Sequence, residues 1–197
     1  MILFQKARRS LKLTLQLFGV AVCVGFVSIL AYAATLAATG NFHTVAPEEV
    51  YRAAQPSPAA ITDYQREHGL RSIINLRGEN RGAAWYDNEI ATARRLGIQH
   101  IDFKMSARRG ITKEEAWRLI KVMEQAPKPL LIHCESGADR TGLASALYLA
   151  AIKHADEATA ERQLSIRYGH IASPSAKGWG MTVTFEDMEP SLGYQDS

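Results

Sequence analysis

Apolar and polar positions divide the chain into two stretches of different character. From Leu13 to Phe42 no charged residue occurs, and LTLQLFGVAVCVGFVSILAYAATLAA is apolar almost throughout. A helix needs about 20 such residues to cross a hydrocarbon core, so residues 13–38 predict a transmembrane helix. Beyond Val50 the pattern changes. The short apolar runs Arg71–Leu76, Ile98–Phe103 and Leu130–Cys134 predict buried strands, and segments of helical period lie between them. Ser57 followed by Pro58 starts a helix, and Gly69 ends it. A second helix covers Trp85–Leu96, with Tyr86, Ile90 and Ala93 on one face and Gly97 just past its end. Thr112 and Glu115 form a capping box. The helix it opens sets Ala116, Leu119, Ile120 and Met123 on one face, and Pro127 and Pro129 stop it. Gly142–Ile152 is apolar nearly all round and predicts a central buried helix. A last helix is expected over Asp156–Tyr168.

Strands alternating with helices imply an α/β fold: a central, mainly parallel sheet flanked by helices, preceded by the N-terminal transmembrane helix. The predicted organisation is a basic tail at 1–12, an anchor or signal segment at 13–38, and a linker at 39–48 containing GNFHTVAPE. A globular domain follows at 49–189, then a tail at 190–197. The composition, 47% apolar and 22% charged in 197 residues, is that of one ordinary globular domain and excludes a disordered or fibrous chain. The net charge of +3 is unevenly placed. Lys6, Arg8, Arg9 and Lys12 precede the apolar run, and no acid occurs before Glu48. Removing those four from 23 basic residues leaves 19 against 20 acidic ones, so the body is near neutral and nucleic acid is not an expected partner.

The basic cluster belongs on the cytoplasmic side of a membrane, which exports the remainder, to the periplasm in a bacterium. Ala31-Tyr32-Ala33 also fits a small-x-small cleavage site, in which case the domain is secreted. The run exceeds the roughly 7–15 apolar residues of a signal peptide, which favours an uncleaved anchor. Arg8-Arg9 makes a poor twin-arginine signal because Lys12 interrupts the apolar residues expected next. Cys23 and Cys134 sit in such different settings that a disulfide framework is excluded.

The chemistry concentrates in His133-Cys-Glu-Ser-Gly-Ala-Asp-Arg-Thr-Gly142. A cysteine ends a strand, five short residues follow, and an arginine starts a helix. Such a loop can turn the N–H groups of Glu135, Ser136, Gly137, Ala138 and Asp139 inward as an anion nest, backed by the positive end of the helix. Arg140 adds a planar fork for two oxygens of a phosphate. The same field favours the thiolate of Cys134, a nucleophile aimed at a bound phosphorus. The Thr141 hydroxyl can stabilise that sulfur as a leaving group. The arrangement calls for no cofactor and no metal, since Arg140 and the nest supply the positive charge. No metal-binding motif occurs either.

HCESGADRTG resembles the HCxxGxxR[S/T]G signature of the cysteine-dependent protein tyrosine phosphatase superfamily, in its dual-specificity branch. Val50-Tyr-Arg-Ala-Ala-Gln-Pro56, Ser72-Ile-Ile-Asn-Leu-Arg77 and Leu131-Ile-His-Cys134 resemble the bacterial and plant/fungal members, over about residues 49–170. The resemblance implies a phosphomonoester hydrolase working through a phosphocysteine, with a phosphorylated protein as substrate. A phosphoinositide or inositol phosphate is the alternative. An inactive module that only binds phosphorylated ligands is disfavoured by the presence of both Cys134 and Arg140. A rhodanese-type sulfur transferase is disfavoured by Arg140-Thr141.

The leaving oxygen needs a proton, which a carboxylic acid usually supplies. Relatives place an Asp on a separate loop about 30 residues before the cysteine. Asp102 fits by count but falls inside the predicted strand 98–103, and the following loop, Lys104–Gly110, has no acid. Asp139, inside the phosphate loop, is the competing donor and is narrowly preferred. C-x2-G-x-D-R resembles the loop of myotubularin lipid phosphatases and of some secreted bacterial phosphatases, where the Asp is proposed to share acid–base work. Arg108 and Arg109 are candidates for contacts to extra phosphates or a plain solvated turn, and Arg77, after the strand 73–76, is a candidate for the rim of the cleft. His133 is expected to orient the loop through hydrogen bonds.

Overall fold

The computed structural model describes residues 2–194, with side chains from residue 14 onward. It comprises two units, residues 1–38 and 39–197. The first is one helix, α1 (Ile2–Ala38). Within it Thr14–Ala38 has a mean hydropathy of 2.3, enough by length and composition to cross a membrane. A signal sequence has the same properties. The side chains of the predicted basic tail lie outside the described residues.

The second unit is built on five strands: β1 (His43–Ala46), β2 (Val50–Ala53), β3 (Ser72–Asn75), β4 (Gln99–Asp102) and β5 (Leu130–His133). Their order is β1-β2-β5-β3-β4, with β1 antiparallel to β2 and the other pairs parallel. The expected mainly parallel α/β sheet is therefore present. β5 lies between β2 and β3, so the cysteine that follows it emerges at the middle of the sheet. Alternate residues face opposite layers. Val50, Leu130, Ile132 and Ile74 enter the larger core, with α4 (Lys113–Gln125) and α5 (Asp139–Leu147). Tyr51, Leu131 and Ile73 enter the smaller one, which includes Ile61 of α2 (Pro58–His68) and Ala93 of α3 (Ala84–Arg95).

Local signals act as their chemistry dictates. Ser57 Oγ accepts from Ala60 N, Gly69 caps α2 at φ 66°, and both halves of the Thr112–Glu115 capping box form. α5 is buried on all sides and continues into a π-helical turn, Tyr148–Ile152. Three expectations require correction. Part of the supposed linker, His43–Ala46, is a strand, because its amides complete the exposed edge of β2. The helix predicted over 156–168 is only α6 (Glu157–Glu161), followed by turns and a short 3-10 segment, Ile166–Tyr168. The chain instead bends so that the carbonyl and side chain of Gln163 meet Arg52.

The third correction is a helix that the pattern did not announce, α7 (Trp179–Leu192), which extends past the expected boundary at 189. Its sequence, WGMTVTFEDMEPSL, is rich in β-branched residues and contains Pro190, both poor helix signals. Burial of Met181, Phe185 and Met188 in the larger core overrides that propensity. Residues 195–197 of the predicted tail lie outside the described residues.

α7 meets the 104–112 segment through glycines. A Cβ on Gly180 would overlap the backbone N of Gly110 and stand 2.9 Å from the carbonyl carbon of Arg109. Gly180→Ala should therefore cost about 1–3 kcal/mol, the usual range for overpacking. Thermal unfolding should show a loss of several degrees, since about 1 kcal/mol shifts a domain of this size by ~2–4 °C. An unchanged transition would mean that the close approach does not constrain the fold.

Candidate active site

Four parallel strands deliver their C-terminal ends to one edge, the usual location of a binding crevice in an open α/β sheet. Cys134 follows β5, Gln55 follows β2, Arg77 follows β3, and Lys104 follows β4. Cys134 is 2% exposed and Arg140 8%. Between them the loop turns at Gly137, whose φ is 72° and where an added Cβ would stand 2.6–2.8 Å from the backbone of Ala53 and Ala54. Only glycine combines that dihedral with that approach.

The carbonyl oxygens of the loop are each engaged by the protein body. Glu135 O accepts from Gln55 N at 3.1 Å, and Ser136 O from Asn41 Nδ2 at 3.0 Å. Gly137 O and Ala138 O accept from Arg52 Nη2 at 2.8 and 3.3 Å. In a trans peptide the carbonyl and the next N–H point in opposite directions. The N–H groups of Ser136, Gly137, Ala138 and Asp139 are thus turned toward the other side of the loop, where that of Ala138 reaches the Ser136 hydroxyl at 3.4 Å. The N-terminus of α5 follows at once, adding its positive end. Arg140 Nη1 donates to Met105 O at 3.4 Å, and Thr141 Oγ1 is buried without a hydrogen-bond partner among the described residues. Together these groups can receive a tetrahedral anion above the Cys134 sulfur.

Arg52 is fully buried. Its second terminal nitrogen, Nη1, donates to Gln163 O and Oε1 at 2.9 and 2.8 Å, Nε has no hydrogen-bond partner among the described residues, and the guanidinium stacks 3.8 Å from the centre of the Tyr168 ring. Burial lowers its pKa to about 10, so it stays charged at neutral pH. A second buried network stands behind His133. Its Nε2 lies 2.9 Å from Glu89 Oε1, which also meets His100 Nε2 at 2.7 Å. Burial opposes the charge on Glu89, but hydrogen bonds from His100 and His133 outweigh it and hold the carboxyl at about 2. Gln55 donates to Glu89 and accepts from Arg77 Nη1 at 2.8 Å, and Arg77 lies 3.5 Å over Trp85. Burial chiefly depresses the Arg77 pKa, while Glu135, Arg140 and Cys134 act on it through their charges.

The two acid candidates differ in their partners. Both oxygens of Asp102 are engaged, Oδ1 by Asn75 Nδ2 at 2.8 Å and Oδ2 by the Tyr86 hydroxyl at 2.5 Å. Burial and then the Asp102 hydrogen bond push the Tyr86 phenol upward. Asp139 meets His170 Nδ1 through Oδ1 alone, at 2.7 Å. Arg108 and Arg109 are exposed on a turn whose backbone N–H groups donate to Ser106 Oγ. Sequence reading missed Asn41, Arg52, Gln55, Glu89 and His170. Arg52 in a short buried strand and Glu89 on the inward stripe of α3 were detectable as charges in apolar company. Asn41, Gln55 and His170 carry no such mark.

A family model described as DSP-PTPase phosphatase fused to NAD+ kinase matches residues 34–176. This covers most of the chain, which belongs to that phosphatase family. Curated proteins give no match. Among solved structures, TpbA of P. aeruginosa superposes with a TM-score of 0.61 at 18% identity, over 78% of this chain and 89% of TpbA. The core catalytic domain of the S. cerevisiae PP-IP phosphatase Siw14 gives 0.58 at 19% identity, over 79% and 94%. PTPMT1 gives 0.57 at 14% identity, over 77% and 98%. TpbA has also been crystallised with pTyr and PTPMT1 with PI(5)P. At these identities the likeness shows a common fold.

Replacing Arg52 by methionine would leave the Gly137 and Gln163 carbonyls without their donor. An unpaired buried polar group costs about 1–3 kcal/mol. Arg52→Met should therefore lower the free energy of urea unfolding by about 2–6 kcal/mol. A variant as stable as the parent would mean that the loop does not depend on this guanidinium.

Proposed function

We propose that the domain hydrolyses phosphate monoesters through a phosphocysteine. The observation that carries this reading is the set of loop carbonyls tied outward by Arg52, Asn41 and Gln55, which leaves an inward-facing nest over Cys134. Cys134 acts as nucleophile. Glu135, Ser136, Gly137, Ala138 and Asp139 contribute N–H groups to the phosphate, Arg140 grips two of its oxygens, and the Thr141 hydroxyl stabilises the sulfur as a leaving group. In the first step the thiolate forms an S–P bond, the P–O bond breaks, and the leaving oxygen takes a proton from Asp139. In the second, water attacks phosphorus, the P–S bond breaks, and a water proton returns to Asp139. Inorganic phosphate departs and the thiolate is restored.

Asp139 suits the donor role better than Asp102. Among the described residues Asp139 Oδ2 accepts no hydrogen bond, whereas each Asp102 oxygen already accepts one, from Asn75 and from Tyr86. The proposed substrate is a phosphorylated protein, with phosphoinositides or inositol phosphates as the second reading. Arg77, pinned on Trp85 within electrostatic range of Cys134 and Arg140, favours the latter by offering positive charge beside the first phosphate. The crystallised ligands of TpbA and PTPMT1 span both classes.

The proposed organisation is an uncleaved anchor over 13–38 with the phosphatase domain, which begins at residue 39, held outside the cytoplasm. Thr14–Ala38 is long enough, at about 1.5 Å per residue, and Lys6, Arg8, Arg9 and Lys12 precede it.

Cys134→Ser should abolish turnover of an aryl phosphate and of every phosphopeptide, phosphoinositide and inositol phosphate in a panel, while equilibrium binding of inorganic phosphate persists. Turnover at the parental rate would refute the covalent route. For the topology, an export-dependent reporter fused after Ser197 should be active. Activity of a cytoplasm-only reporter at the same position would reverse the orientation.

A further inference from the structure

The geometry points to His170 as the positioning residue that holds the Asp139 carboxyl for proton transfer, by binding Oδ1 and leaving Oδ2 to exchange the proton. This rests on Asp139 as the acid proposed above. His170 is 1% exposed. Nδ1 lies 2.7 Å from Asp139 Oδ1, and Nε2 lies 2.8 Å from Thr182 Oγ1 on α7. The ring is thus fixed at both nitrogens and is too enclosed to touch a substrate.

The tautomer follows from the partners. The Thr182 hydroxyl has no other acceptor among the described residues and donates to Nε2, so the ring proton sits on Nδ1 and is donated to Oδ1. An Oδ1 that accepts this bond does so whether Oδ2 is protonated or not. The carboxyl can therefore release a proton to the leaving oxygen and recover one from water without a change in its heavy-atom position. Gly178 bounds the carboxyl from another direction. A Cβ there would overlap Oδ1 and Cγ of Asp139 and stand 2.9 Å from Oδ2. The φ of −86° at Gly178 is open to alanine, so only that overlap forbids a side chain.

The alternative is a histidine that merely staples the 165–178 segment to α5 and α7. Leaving groups separate the two roles. A nitrophenyl phosphate departs without a proton, and an alkyl phosphate does not. With the full chain in detergent, His170→Ala should lower kcat for an alkyl phosphate by about 10–100-fold, part of the ~10²–10⁴-fold that a general acid supplies. It should change KM little and leave nitrophenyl phosphate turnover within about 3-fold, a small fraction of that acid contribution. His170→Asn, whose amide N–H can replace Nδ1–H, should recover part of the loss. The double variant with Asp139→Asn should be no slower than Asp139→Asn alone.

Equal losses on both substrates, or losses that multiply in the double variant, would overturn the positioning role. If Asp139→Asn shows the leaving-group dependence and His170→Ala does not, only this role falls. If Asp139→Asn itself lacks the dependence, the acid assignment falls first. Gly178→Ala guards against misfolding of the His170 variants. It should displace the same carboxyl and give the same selective loss, and its failure to do so in a folded protein would also count against the proposal.

Discussion

A loop that turns its N–H groups inward to receive an anion must send its carbonyls into the protein, and those carbonyls need donors. Arg52 meets this constraint. One buried guanidinium holds Gly137 and Ala138 from below and Gln163 from the side, while Asn41 ties Ser136 O to Tyr168 O. A buried charge is costly unless it is well hydrogen-bonded. Here four acceptors meet its two terminal nitrogens and the Tyr168 ring covers it, with Nε alone unpaired among the described residues. Much of the remaining architecture can be understood from this contact. β2 exists partly to carry Arg52 beneath the loop, and the chain after α6 forgoes a longer helix so that Gln163 and Tyr168 can reach it.

The second layer of support comes from elements that lie far apart in sequence. Glu89 of α3 bridges His100 of β4 and His133 of β5, fixing the residue before Cys134. Gln55 passes that network on to Arg77 at the rim. α7 performs a similar service on the other side. It presents Thr182 to His170, follows Gly178 beside Asp139, and takes the Ile111 N–H on Thr184 Oγ1 at 3.0 Å. The same helix thus borders both the loop that carries Asp139 and the 104–112 segment.

The two aspartates differ in a way that counting residues does not reveal. Asp102 fits the expected spacing by count, and its carboxyl accepts hydrogen bonds from Asn75 and Tyr86 at the end of β4. Asp139 has an unusual position, inside the loop, but keeps an oxygen available. Which carboxylate oxygens already accept hydrogen bonds is a three-dimensional property, and sequence spacing does not carry it.

What the sequence determined by itself is what short-range chemistry encodes. The capping residues Ser57 and Thr112, the apolar runs of β3 and β5, the all-round apolar α5 and the Cys134–Arg140 spacing each act within a few residues, so each was legible. The long uncharged stretch before Phe42 was legible for the same reason. Tertiary structure alone decided the rest. β1 is a strand only because β2 offers an edge, and α7 is a helix despite its β-branched residues because Met181, Phe185 and Met188 find the core. The partners of the site, Arg52 with Gly137 across 85 residues and His170 with Asp139 across 31, are set by where the chain returns in space. No local pattern encodes such a return, because a buried polar side chain is stable only once its distant acceptor has arrived.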